Sequence, residues 1–221
     1  MSSKYPRTYH LPWSPGATND DKIAKDIAGL LNVPIVVSEK CDGGNTAFER
    51  SGIFARTHAH EPSHPSFDIL KSLHASLRYS LPEHYQFFGE NVYAKHSIAY
   101  SGLPGYFLLF NIRDLNEPRW SNQCWLHWDD VEMWAQNLAI PTVPVLFKGV
   151  VHSEKELQKL TEELAKQPSK LGGEREGVVV RVEDCFSDDE FGRCVAKWVK
   201  KDFVQTSIHW SKNEVVRNGL K

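Results

Sequence analysis

Five short strings put charged residues where strands would otherwise be apolar: EKCDGGN (39–45), FGEN (88–91), LFNIRD (109–114), EGVVVR (176–181) and AKWVKKDF (196–203). The first sets Lys40 at the mouth of a β-branched run, with Asp42 and two glycines behind it. Taken alone, that string is a strand running into an Asp-Gly turn with Lys40 in water. The alternative is an amine held in a site, because a lysine stripped of its proton is a nucleophile. From Arg193 to Lys221 there are seven cations and two anions, against a net charge of -2 for the whole chain. This segment is either a solvated tail or a local phosphate-facing patch. The overall charge excludes a uniformly basic nucleic-acid binder.

The elements that must position these strings follow from periodicity and punctuation. VPIVVSEK, YQFFGENVY, GYFLLFNIRD, TVPVLFKGVV, REGVVVRVED and RCVAKWVKKDF read as strands. NTAFERSGIFARTH reads as a hairpin turning at Ser51-Gly52. PSFDILKSLHASLRYSL and HWDDVEMWAQNLAI have helical spacing. SEKELQKLTEELAKQ is the clearest helix, since Ser153 and Glu156 form a capping box. SPGATNDDKIAKDIAGLL reads as a loop and then a helix capped by Asn19 or Asp20. The mixture predicts an α+β fold rich in antiparallel sheet. No Pro-, Gly- or Ser-rich linker divides the 221 residues, so one domain is expected over 1–221.

Together, the order and spacing of the five strings resemble the motif signature of covalent nucleotidyltransferases, the superfamily of ATP-dependent DNA and RNA ligases and mRNA capping enzymes. KxDG matches motif I, the Phe-Gly-Glu string motif III, the aromatic strand motif IIIa, EGVVVR motif IV and the lysine strand motif V. Glu39, Asn45 and FGENVYAKHSI are closer to RNA ligases than to DNA ligases. The opening YPRTYHLPWSPGATNDDK with AKWVKKDFVQT is similar to Deinococcus-type nick-sealing RNA ligases. The resemblance implies a nucleotidyltransferase (ATP-grasp-like) domain of largely antiparallel sheets flanked by helices, without a separate OB-type domain or room for an added N-terminal one.

The resemblance also implies roles. Lys40 would attack the α-phosphorus of ATP, giving a lysyl-AMP and pyrophosphate. Its ordinary pKa is about 10.4, so the site is expected to lower it through neighbouring cations and bound metal. Glu90 would accept hydrogen bonds from the ribose hydroxyls. Phe110, or alternatively Phe107, would stack on adenine. Glu176 would hold Mg2+ or Mn2+ as a hard oxygen ligand. Lys197 would grip phosphate, with Lys200 or Lys201 as its partner; the gap departs from the family's usual spacing. Arg56 would meet a phosphate. Asp42 would serve the 3′-hydroxyl or set the turn, and Asn45 would orient phosphate or an RNA end or simply turn the chain. Arg181 is a second phosphate contact or a scaffold group. Glu39 and Gly43 complete the nucleotide-binding set.

The implied activity is ATP-dependent joining of RNA 3′-hydroxyl and 5′-phosphate ends, with a DNA ligase, a capping-type transferase or a non-catalytic RNA- or nucleotide-binding module as alternatives. A monomer is expected, with a partner protein or domain possible for RNA binding. Cys41, Cys124, Cys185 and Cys194 show no metal-ligand spacing and read as reduced thiols. No run is long enough to span a membrane, and MSSKYPRTYHLPW lacks a secretory apolar block, so a cytoplasmic location is expected. His58, His60 and His64 read as a solvated loop ahead of a metal site. Trp120, Trp125, Trp128 and Trp134 read as packing ahead of an RNA-stacking groove.

Overall fold

The computed structural model describes residues 4–56, 61–116, 123–201 and 215–221. In chain order its strands are β1 (Tyr9–His10), β2 (Pro34–Lys40), β3 (Gly44–Glu49), β4 (Gly52–Ala55), β5 (Tyr85–Asn91), β6 (Phe107–Asp114), β7 (Gln123–Trp125), β8 (Val145–Val150), β9 (Gly177–Val182), β10 (Phe186–Ser187) and β11 (Val195–Val199). Its α-helices are α1 (Asp68–Leu77), α2 (Trp128–Asn137), α3 (Glu154–Lys166) and the short α4 (Phe191–Cys194). One sheet runs β1-β11-β9-β2-β8 and the other β10-β7-β6-β5-β3-β4. The strands pair antiparallel except β1, which lies parallel to β11. This is the α+β, largely antiparallel fold that the strand pattern predicts.

Alternation along β2 decides which side chains meet the cavity. Val36, Ser38 and Lys40 point one way; Ile35, Val37 and Glu39 point the other, with Val178 and Val180 of β9. Helix α3 covers that second face through Leu157 and Ala165. It starts where the sequence predicts: Ser153 Oγ accepts from the Glu156 amide at 3.2 Å. The Glu156 carboxylate reaches back to the amide of His152, one residue before the cap. A second apolar cluster joins Phe48, Phe87 and Phe107 of the six-stranded sheet to Leu70 of α1 and Val131 of α2.

Two glycines in the strings are forced by close approach rather than by turn geometry. A Cβ on Gly43 would run into the Asn91 carbonyl, and one on Gly177 into the Trp198 carbonyl. The β3–β4 hairpin turns at Arg50-Ser51, one residue before the expected place, because Glu49 pairs with Gly52.

The helix expected after Asn19 does not form; only Ala28–Leu30 make a 3-10 turn. The backbone of this stretch bonds elsewhere. The His10 amide donates to the Lys22 carbonyl, and the Ala24 amide to the His10 carbonyl, each at 2.8 Å. The acids that read as first-turn residues make tertiary or local contacts instead: Asp21 binds Thr18, and Asp26 accepts from the Ala28 amide.

Residues 215–221 return to the strand ends near the KxDG turn. Buried Asn218 donates to the Val92 carbonyl and accepts from the Tyr100 amide, each at 2.9 Å. The Tyr100 hydroxyl accepts from the Asp42 amide at 2.8 Å. The described cysteines are free thiols. Among the described residues, no helix is long and apolar enough to cross a membrane.

Candidate active site

A cavity of about 620 Å3 opens between the two sheets. The five-stranded sheet contributes Lys40 from β2, Arg181 from β9 and Lys197 from β11; the six-stranded sheet contributes Asn45, Glu90 and Phe110 from β3, β5 and β6. The five scattered strings therefore converge on one cleft.

Lys40 ends β2 opposite Gly177, so its side chain meets Glu176, which immediately precedes β9. The Nζ–Oε1 distance is 2.7 Å. Burial opposes the charge on Lys40, but Glu176 and Glu90 outweigh it and push the ammonium up to about 12. The protein's own acids thus favour the ammonium, so the lowering expected of Lys40 falls to the metal that arrives with a nucleotide. Burial also raises Glu176, against the pull of Lys40.

Glu90 follows a β-bulge at Phe88/Gly89 that re-aims the end of β5 into the cleft. Burial pushes its carboxyl up to about 8, with Lys40 opposing and Glu176 adding. Neighbouring Asn45 pairs with Glu90 across β3 and β5. Asn45 Oδ1 and Glu176 Oε2 are both buried without a hydrogen-bond partner. Unpaired buried oxygens are costly, and an incoming hydroxyl or cation would satisfy them. The donor set thus fits a divalent metal held by Glu176 together with phosphate oxygens. Among the described residues no cluster of three or more His, Cys, Asp or Glu side chains could hold a metal by itself.

Phe110 is half-buried on the cavity wall, whereas Phe107 is fully buried and stacked on Phe48 at 4.0 Å. Of the two, only Phe110 is available to a base. Arg56 follows β4 at the cavity rim and is exposed. Lys197 lies in the cavity, and burial followed by Lys40 lowers its pKa.

Several sequence-predicted residues are committed to other protein groups or lie outside this cleft. Glu39 is fully buried on the α3 face, where its carboxylate meets Arg175 at 3.3 Å, the Ser169 hydroxyl and the Lys170 amide. Asp42 accepts from the Ser97 and Ile98 amides, each at 2.7 Å, and so fixes the turn. Arg181 spends its guanidinium on Asn111 Oδ1 and the carbonyls of Leu126 and Val182. That is the scaffold alternative, and burial drops its pKa to about 10. Lys200 lies past the end of β11 and outside the cavity wall, as does exposed Lys201. Trp125 and Trp128 are core, and Trp134 packs half-buried beside Phe87. His64 caps the turn at Pro65; His58, His60, Trp120 and residues 202–214 of the basic stretch lie outside the described residues.

The sequence reading missed the N-terminal wall. Tyr5 lies edge-on to Phe110 at 5.1 Å, and its hydroxyl accepts from Asn111 at 3.3 Å. Asp21 also lines the cavity. Asn111 carried a signal, being a polar residue inside the apolar run LFNIRD; Tyr5 and Asp21 carried none before β1 was placed.

A profile of the RNA ligase family matches residues 33–199. No curated protein matches the chain in sequence. In fold it is similar to a Naegleria gruberi RNA ligase mutant with ATP and Mn, with a TM-score of 0.60 and 16% identity over 92% of this chain and 58% of that one. An archaeal ATP-dependent RNA ligase gives 0.56 and 15% over 91% and 49%. A provisionally assigned ATP-dependent DNA ligase from Aquifex aeolicus gives 0.57 and 19% over 91% and 50%. The chain spans between 49% and 58% of these proteins' lengths, and at such identities the likeness is one of fold. The matched segment, however, runs through every strand that brings Lys40, Glu90, Phe110, Glu176 and Lys197 to the cleft, and by that match the chain belongs to the RNA ligase family.

Proposed function

We propose that this chain is an ATP-dependent RNA ligase that joins 3′-hydroxyl and 5′-phosphate ends at nicks, through a lysyl-AMP on Lys40. The observation that carries the reading is the Lys40–Glu176 pair at 2.7 Å, set in one cleft with Glu90, Phe110 and Lys197. Neighbouring folds that hold ATP and Mn support it.

Phe110 stacks on adenine and Glu90 receives the ribose hydroxyls. Asn45 Oδ1 takes a second polar contact. Lys197 and the rim guanidinium of Arg56 face the phosphates. Mg2+ or Mn2+ at Glu176 supplies neutralisation of phosphate charge. Lys40, after its ammonium gives one proton to water, forms the P–N bond to the α-phosphorus as the bond to pyrophosphate breaks. A 5′-phosphate oxygen then takes the adenylyl group, and the amine of Lys40 is restored. The 3′-hydroxyl attacks the activated phosphate, forming the phosphodiester and releasing AMP. Glu39, Asp42 and Arg181 hold the frame. Residues 1–221 act as one nucleotidyltransferase domain, monomeric, with RNA affinity lent by a partner protein or domain. Four free thiols suit a reducing, cytoplasmic compartment.

The test incubates the chain with α-labelled ATP and Mg2+ or Mn2+. Wild type should carry an acid-labile, alkali-resistant adduct that Lys40→Ala lacks; an unlabelled wild type would sink the reading. Labelling from GTP alone would assign a capping-type transferase. A gel comparing nicked RNA, nicked DNA and single-stranded RNA then separates RNA from DNA joining.

A further inference from the structure

The stretch Tyr9–Ala24 precedes the residues matched by the family profile, yet it is built into the cleft. β1 lies parallel to β11 with His10 opposite Lys197, and the Leu11 amide donates to the Lys197 carbonyl at 2.8 Å. The chain then doubles back. His10 bridges Ile23, which brings Asp21 against the Lys197 side chain.

A polar chain runs from β11 and returns to it. The Val199 amide donates to Ser14 Oγ at 3.0 Å. Ser14 Oγ lies 2.8 Å from His10 Nδ1. On the other side of the ring, His10 Nε2 faces Asp21 Oδ1 at 3.5 Å. The same Oδ1 lies 3.9 Å from Lys197 Nζ. Asp21 Oδ2 is fixed by the Thr18 amide and hydroxyl at 3.2 and 2.9 Å. Both carboxylate oxygens are thus oriented. Besides Asp21 and His10, Lys197 feels Lys40 and Arg56, which repel it, and Glu176, which attracts it.

A carboxylate lining a cavity for phosphates repels its ligand. We propose that Asp21 is a positioning residue: it holds the Lys197 ammonium in place for the transferring phosphate, and His10 with Ser14 holds Asp21. The catalytic part of this proposal rests on the reading of Lys40 as the adenylylated residue.

Asp21→Asn keeps the shape and removes the charge. In single-turnover adenylylation with ATP, the rate at saturation should fall about tenfold, while KM stays level or drops because a repelling charge has gone. Asp21→Glu should recover part of the rate. An acid without a positioning role would leave the saturated rate within twofold of wild type, whatever happens to KM, and that outcome overturns the proposal. A second measurement needs no activity. In competitive acetylation by acetic anhydride, Lys197 of Asp21→Asn should react about threefold faster than in wild type, relative to exposed Lys155, because the ammonium loses its counter-ion and more of the lysine is present as the reactive free amine. Equal Lys197 reactivity in the two proteins overturns the proposal. If wild type forms no adduct with ATP, the lysyl-AMP reading fails, and the acetylation result still decides whether Asp21 holds Lys197.

Discussion

The ion pair between Lys40 and Glu176 has a second pair directly behind it. Glu39 and Arg175, the residues immediately before them in the chain, meet at 3.3 Å on the reverse face of the same two strands. Each β2 residue is thus tied to the segment leading into β9, one pair in the cleft and one in the core. Arg175 also donates to the Leu164 carbonyl at the end of α3.

Removing one member of the core pair leaves a buried charge alone. Arg175→Met should destabilise the protein by about 3–5 kcal/mol, the usual range for breaking a buried pair. Adding Glu39→Gln should restore much of the loss. Urea denaturation of the single and double variants checks both outcomes.

Within the cleft, charge placement should matter more than stability. Glu176→Gln should slow lysyl-AMP formation by about 10² with a change in Tm of only a few degrees. Quench-flow with labelled ATP and a thermal melt on the same sample separate the two effects.

The lysine register can be settled by comparing two variants. Lys197→Ala should cost about 10² in adenylylation rate, since Lys197 lies in the cavity. Lys200→Ala should remain within threefold of wild type, since Lys200 lies past the end of β11. A large effect at Lys200 would contradict that placement.

Phe107 and Phe110 should fail differently. Phe110→Ala should raise KM for ATP about tenfold, the scale of one lost stacking contact, with a modest change in Tm. Phe107→Ala should cost about 3–5 kcal/mol of stability, because that ring stacks on Phe48 in the core. Titration with ATP and chemical denaturation distinguish them.

Glu90 should leave a pH signature. Its carboxyl rises from an ordinary 4.5 to about 8 in the folded protein. The folded state therefore binds this proton more tightly than the unfolded chain does. Stability from this group is present below the ordinary value and is lost as pH rises from there through about 8. Glu90→Gln removes the loss, so its Tm advantage over wild type should grow between pH 5 and pH 9. A constant difference across that range would contradict the placement of Glu90.

The parts of the fold that could be read in the sequence are those set by near neighbours. Apolar and β-branched runs marked β2, β5, β6 and β9, and the Ser153 cap marked α3. The residues that converge on the cleft were legible through their order along the chain. What escaped depends on distant partners. The stretch after Asn19 has acids suited to a first helical turn, but its amides and carbonyls pair with β1. Glu39 sits beside Lys40 in sequence, yet a strand sends adjacent side chains to opposite faces, and only the placement of Arg175 shows what it meets. The direction in which the protein's own acids push Lys40 was not legible, because Glu176, 136 residues away by number, supplies the nearest charge. Tyr5 and Asp21 became visible only when β1 was set beside β11.

The stitching of Asn218 to Tyr100 bears on how shortened versions of the protein should be made. Deleting residues 215–221 would leave the Tyr100 amide and the Val92 carbonyl without their partner, and the tyrosine that braces the Asp42 amide would lose its anchor. A trimmed catalytic fragment stopping near Lys201 would therefore begin life with a loosened lysine turn, so its poor activity would say nothing about Lys40. Any expression tag is better appended after exposed Lys221 than substituted for the residues before it.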